Sequence, residues 1–255
     1  MIRSTLALYR DAAVDAARGT ARSGWAFVLL LLLFPLLSLV TMLVSPLGII
    51  GGFVVGFLNA ACAGTYLATL QDALESNRSL SISTVRQNFG RYTSEVIGVA
   101  FPIWIGSMIA NVVLGQVAPP LVVSLLMLGV AVVFNVAPEM IGRTRSSGTA
   151  LLLDSVRWLR ENGPEWFAPQ FLLLIPVLLL RPGAVLEFMS MFGPQFGFVN
   201  AGGLALGGGG GPTAWLGGLA LVAFVHAAML FRGALYKRLG PGGRRQRLWR
   251  ARIGG

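Results

Sequence analysis

His226 is the only histidine in the chain, and it sits about midway along an apolar run. An ionisable group among membrane-type side chains is a functional candidate: a proton-sensitive group, or a metal or haem ligand. A metal site needs further ligands, and no Cys or carboxylate is spaced to supply them. The plainer reading is a neutral imidazole hydrogen-bonded between helices. A Ser–His pair would need a serine opposite His226, and the sequence marks none. Cys62 stands alone, which excludes an intramolecular disulfide and a multi-cysteine metal site. The glycines of 207–211 are followed by no lysine, so they do not form a phosphate loop. No cofactor, metal or catalytic residue is expected.

The other polar groups fall near the ends of apolar runs. Asp72 and Glu75 follow the second run, Glu95 opens the third, and Glu139 lies beside Arg143 and Arg145, where an interfacial ion pair is expected. Asn59, Asn111 and Asn135 lie within runs. With His226 they form a candidate polar core. Amides there either bond across helices or line a polar path. Gly52 and Gly56 make a G-x-x-x-G, continued by Ala60 and Gly64, a spacing that lets helix backbones approach closely. Arg244, Arg245, Arg247 and Arg250 crowd the C-terminus with Leu248, Trp249 and Ile253 among them, a pattern suited to anionic lipid.

The elements that must position these groups follow from composition. The 255 residues are 55% hydrophobic and 12% charged. A soluble domain has about a quarter charged residues. This chain cannot cover itself with polar surface in water, so an ordinary soluble enzyme, a disordered protein and a disulfide-rich secreted domain are excluded. An all-α polytopic membrane protein is expected, its bilayer-spanning runs each needing about 20 residues. Six are found, at 25–45, 48–70, 95–115, 120–141, 166–181 and 213–235. Ser45–Pro46–Leu47–Gly48 and Ala118–Pro119–Pro120 turn the first and second pairs into hairpins. The first run is longer than a signal-peptide core and reads as an uncleaved span. The chain is therefore read as one membrane domain over 1–255, with an amphipathic segment at 1–24, six spans within 25–235 and a basic tail at 236–255.

With both termini on the same side, 19 of the 20 basic residues face the cytoplasm and only Arg181 faces out. That asymmetry obeys the positive-inside rule and assigns the net charge of +10 to topology and lipid, with no nucleic-acid partner expected. A seventh span at 184–200 would place the basic tail outside and is rejected. The segment 182–212 has two readings: a re-entrant, interfacial or docking segment, or a flexible linker along the membrane surface.

A polar segment with helical periodicity precedes each odd-numbered span. The apolar positions are Ile2, Leu6, Tyr9 and Ala13, then Val85, Phe89 and Tyr92, then Leu152, Val156 and Leu159. Pro35, Pro102 and Pro176 follow at matching places inside the spans. The expectation is three repeats of an interfacial amphipathic helix plus a helical hairpin.

Gly64–Thr65–Tyr66, Asp72–Ala73–Leu74, the polar stretch from Ser79 to Arg91, and Gly98 to Pro102 follow a layout of polar stretches alternating with apolar hairpins. The chain resembles bacterial six-helix membrane proteins related to the membrane domain of glycerophosphoryl diester phosphodiesterases. The resemblance implies the bacterial inner membrane and carries over no catalytic residue; both termini are read as cytoplasmic from the distribution of basic residues. Three functions compete. The first is a non-catalytic membrane subunit or scaffold, partnered by other membrane subunits or a second copy. The second is a small transporter or permease subunit driven by a separate ATPase. The third is a lipid-modifying intramembrane enzyme.

Overall fold

A computed structural model describes residues 2–76, 79–114, 118–180, 196 and 212–240. Every regular element among them is helical: α1 (Ile2–Arg22), α2 (Gly24–Val44), a 3₁₀ turn (Ser45–Leu47), α3 (Ile49–Glu75), α4 (Ile82–Gln87), α5 (Thr93–Leu114), α6 (Pro120–Val133), α7 (Ala137–Met140), α8 (Gly148–Leu180) and α9 (Pro212–Leu239). Helices alone satisfy their own backbone in hydrocarbon, and the Leu-rich runs favour them. Among the described residues, five segments are long and apolar enough to cross a membrane: Gly24–Leu47, Ile49–Glu75, Thr93–Leu114, Leu121–Met140 and Gly218–Leu239. The expected run at 166–181 is not one of the five; residues 166–180 form the second half of α8.

The first hairpin turns where expected. Pro46 enters the 3₁₀ turn, and Gly48 reverses the chain at φ 57° and ψ −124°. That left-handed region penalises any residue with a Cβ. Pro119 and Pro120 start α6, where a missing N–H costs nothing.

The expected single helix over 120–141 is broken. α6 stops at Val133, a turn spans 134–136, and α7 resumes at Ala137. Pro138 explains the break. It cannot donate to the carbonyl of Phe134, and its ring would crowd that carbonyl in a continuous helix. Glu139 N–H then bonds Val136 O at 3.1 Å, which leaves the Asn135 carbonyl for another donor.

The core lies toward one end of the bundle. From Ala60 to Gln71 every residue of α3 is buried, whereas Ile49 and Ile50 at its other end are 83% and 68% exposed. α3 and α9 are the central helices, and α2 and α5 lie outside them. The packed end also carries the arginines of α1, α4 and the segment 143–160, and is called the basic end. The opposite, hairpin end exposes Met42, Leu43, Phe53, Phe57, Val112 and Leu121. Such faces need no protein cover in hydrocarbon, because lipid tails are as apolar as leucine.

The three polar segments preceding spans take three different forms. α1 packs along α9: Ser23, Gly19 and Asp15 meet His226, Leu230 and Arg238 in turn, so the two helices run antiparallel. The buried face of α1 is Ala12, Ala16 and Gly19, continued by Ser23 at the break before α2. The face expected to lie in the membrane interface is turned away from α9 at Leu6 and Ala13. Small residues line the packed face because close helix contact needs them. A Cβ on Gly19 would lie 3.2 Å from the Leu230 side chain and 3.3 Å from that of Leu74. The second segment forms only the six-residue α4. A turn over 88–92 with Gly90 at φ 73° separates Phe89, which is exposed, from Tyr92, which is buried. The third is continuous with the apolar run that follows, as one 33-residue helix, α8.

Glycines mark the closest approaches. A Cβ at Gly64 would lie 2.8 Å from the Tyr92 carbonyl carbon, so α3 meets the start of α5 backbone to backbone. One at Gly98 would lie 3.0 Å from the Gly148 Cα, where α5 meets α8. Gly52 and Gly56 differ: among the described residues, nothing lies within 4 Å of a Cβ at either position. Of the proposed packing glycines, Gly64 alone is used in contacts among the described residues.

Candidate functional site

Two buried polar clusters join the helices at the basic end, both centred on α9. In the first, His226 uses both ring nitrogens. Ser23 Oγ lies 2.8 Å from Nε2, and Tyr66 OH lies 2.9 Å from Nδ1. Ser23 Oγ also donates to Thr20 O at 3.3 Å. One proton order satisfies this chain: Tyr66 donates to Nδ1, Nε2 donates to Ser23 and Ser23 donates to Thr20 O. The break between α1 and α2 places Ser23, while α3 supplies Tyr66. The serine that the sequence did not reveal is therefore present, 203 residues away along the chain. It does not make a hydrolase triad. Tyr66 stands where a carboxylate would stabilise an imidazolium, and Ser23, Tyr66 and His226 are all at most 2% exposed. The geometry fits the neutral, bridging imidazole.

The second cluster surrounds Arg232. Its guanidinium meets Glu139 through two bonds, Nε to Oε1 at 2.5 Å and Nη2 to Oε2 at 2.9 Å. It also donates to Asn135 O at 2.7 Å, Asn135 Oδ1 at 3.0 Å and Gln170 Oε1 at 3.0 Å. The Trp166 ring lies 5.0 Å from the guanidinium carbon, and Trp166 Nε1 donates to Asn135 Oδ1 at 2.9 Å. The Asn135 carbonyl is the group released by the Pro138 break. Bidentate pairing and a full set of acceptors are what a buried arginine needs.

This corrects one expectation. Glu139 pairs with Arg232 of α9, not with Arg143 or Arg145. Arg143 instead donates to Gly233 O at 2.8 Å and lies over the Tyr236 ring. The side chains of Arg232 and Glu139 are each 3% exposed. A sequence signal existed for both. Glu139 falls inside the expected run 120–141 and Arg232 inside 213–235, so two opposite charges each intrude on a span.

Further bonds tie α3 to its neighbours. Tyr92 OH donates to Gln71 Oε1 at 2.8 Å, and Gln71 Nε2 donates to Ile141 O at 2.5 Å. Burial raises the Tyr92 phenol pKa above its ordinary value and keeps it a donor. Its ring packs onto Gly142, at φ 72°, leaving no room for a Cβ. Asn88 donates to Asp72 at 2.6 Å, and Arg91 lies 3.7 Å from the same carboxylate.

The expected polar core does not converge. His226 and Asn135 lie in separate buried clusters. Asn59 stands apart, toward the hairpin end. There it lines a cleft of about 610 Å³ between α2 and α3 with Leu37, Ser38, Thr41, Met42, Ser45 and Val55. Its Oδ1 is buried without a hydrogen-bond partner. The Asn111 side chain and Arg244, Arg245, Arg247 and Arg250 lie outside the described residues. Among the described residues, no group of three His, Cys, Asp or Glu side chains is placed to hold a metal. Comparison with protein-family models, with curated proteins and with solved structures produced no match for the chain.

Proposed function

We propose that the protein is a non-catalytic membrane subunit or scaffold, with a rigid basic end in the cytoplasm and apolar hairpins that face lipid and other membrane subunits. One observation carries this reading: the polar groups capable of chemistry are spent on holding helices together. His226, Arg232, Glu139 and Asn135 are each at most 5% exposed and are bonded to neighbouring elements. The basic end presents exposed apolar residues beside arginines, with Ile82 and Phe89 near Arg86 and Arg91, and Leu153 near Arg157. That chemistry suits the anionic cytoplasmic leaflet of a bacterial inner membrane. Six spans grouped as three units remain the favoured architecture, with α8 supplying both the third polar segment and the fifth span.

Purification from native membranes in mild detergent, followed by native mass spectrometry, tests this function. A membrane protein bound in fixed stoichiometry is the expected result. A protein that purifies alone and by itself moves solute across liposomes overturns it. The broken helix at 134–136 favours a second reading, a permease subunit, because discontinuous helices build transport sites. An ATPase among the bound partners, with ATP-dependent flux, would select that reading.

A further inference from the structure

α4 and the turn that follows it are held at one depth by their two ends. Ahead of α4, Leu80 N–H donates to Arg22 O at 2.9 Å, and Arg22 ends α1 just before α2 begins. Beyond α4, Gly90 N–H donates to Thr65 Oγ1 of α3 at 3.0 Å. The first hairpin converts these contacts into heights. α2 runs 21 residues to the hairpin turn, about 32 Å of helix, and Thr65 lies 16 residues beyond the start of α3, about 24 Å. A hydrocarbon layer is about 30 Å thick. With the turn at Ser45–Leu47 at its far edge, the segment 80–90 crosses the near edge. Trp25, exposed in the first turn of α2, stands at that edge too, where tryptophans collect.

The segment presents two kinds of group there. Ile82 and Phe89 are 63% and 65% exposed. Arg86 shares a face of α4 with Ile82, at i and i+4, and is exposed. Among the described residues its guanidinium has neither a hydrogen bond nor an ion pair. The neighbouring arginines are engaged. Arg22 donates to Ser76 O at 3.1 Å, and Arg91 donates to Asn88 Oδ1 at 3.3 Å and lies 3.7 Å from the Asp72 carboxylate. Apolar side chains at the hydrocarbon edge with an uncommitted guanidinium beside them match the two parts of a phospholipid, acyl chains and phosphate. A zwitterionic headgroup offsets its phosphate with its own cation, so an uncompensated arginine selects a net anionic lipid.

We propose that α4 and the turn through Gly90 form a binding site for an anionic phospholipid of the cytoplasmic leaflet. Ile82 and Phe89 sink among its acyl chains, and Arg86 takes its phosphate. The proposal rests on the reading of the chain as a membrane subunit with its basic end in the cytoplasm, and it assigns one lipid site to that end.

The test uses the full-length protein in phosphatidylcholine–phosphatidylglycerol liposomes, with single added cysteines, since Cys62 is buried. A nitroxide on Phe89→Cys should collide with oxygen more than with a water-soluble nickel chelate. A nitroxide on Leu32→Cys, on the exposed face of α2, should do the same, and one on Arg157→Cys the reverse. A bimane on Gln87→Cys, an exposed position beside Arg86, reads the adjacent lipid through quenching by nitroxide-labelled acyl chains. Half-quenching should need roughly fivefold less labelled phosphatidylglycerol than labelled phosphatidylcholine. Arg86→Gln should remove that preference, whereas Arg86→Lys and Arg157→Gln should keep it. Soluble glycerol phosphate at matched ionic strength should leave it unchanged, because it lacks the chains that Ile82 and Phe89 hold. Circular dichroism and melting establish that each variant is folded. A Phe89→Cys label that meets the nickel chelate as freely as Arg157→Cys overturns the proposal. So does equal quenching by the two lipids, a preference that survives Arg86→Gln, or competition by glycerol phosphate. If the preference is absent yet the protein holds a membrane protein in fixed stoichiometry after native purification, this inference falls and the subunit reading stands. A preference retained by a protein that purifies alone separates the two the other way.

Discussion

Arg232 and Glu139 show how one pair of side chains decides what a span can be. Each charge alone would be untenable at 3% exposure. Together, with Asn135, Gln170 and Trp166 around them, they are fully partnered and join α9 to the α6–α7 break and to α8. Breaking a buried pair by removing one partner costs about 3–5 kcal/mol, because the other charge is left bare. Arg232→Met or Glu139→Leu should therefore destabilise strongly, and the double variant less than either single one. Melting of the three variants in detergent measures this. A double variant that loses the sum of the two single losses would refute the coupling. His226 follows the same logic without charge: it bridges Ser23 and Tyr66, and its isolation in sequence concealed two partners from helices far away along the chain.

At the scale of elements, small residues decide which faces meet. The expected apolar face of α1 was drawn from its large residues, Leu6 and Tyr9 among them. The packed face is drawn from small ones, because α1 lies close against α9. A larger side chain at this contact should undock α1 while α2 to α9 stay folded. Gly19→Leu should cost about 1–3 kcal/mol by overpacking. It should also make the α1–α2 junction sensitive to limited proteolysis in detergent, while Ala13→Leu, on the exposed face, should not. Equal cleavage of the two variants would show that α1 does not depend on that contact. The same distinction sorts the glycines of α3. A shared spacing made Gly52, Gly56 and Gly64 look equivalent, yet among the described residues only Gly64 meets another backbone.

At the scale of the whole molecule, a tightly bonded basic end carries loosely covered apolar hairpins. This division suits a bilayer, where the hairpins lose nothing by facing lipid and the basic end must exclude water from its polar bonds. Orientation is open to direct measurement. Cys62 is buried, so an added cysteine reports against a quiet background. In intact cells, an impermeant maleimide should label Ser45→Cys at the first hairpin turn. It should reach Arg86→Cys or Arg157→Cys only after the membrane is opened. The opposite pattern would invert the proposed topology.

Much of this was legible along the chain. Five of the six apolar runs, the hairpin turn at Pro46–Gly48, the start of α6 at Pro119–Pro120 and the all-helical class of the described residues follow from local rules: lipid forbids unpaired backbone, and proline and glycine act where they stand. The fourth run's break was also written locally, in Pro138. What the tertiary structure alone decided is partnership. Ser23 with His226, Arg232 with Glu139, Gln71 with Tyr92 and Gly64 with the start of α5 join positions from 21 to 203 residues apart. Helical periodicity reports which residues share a face, but not which helix that face will meet. That choice comes from packing shape and from the need of each buried polar group to find its complement.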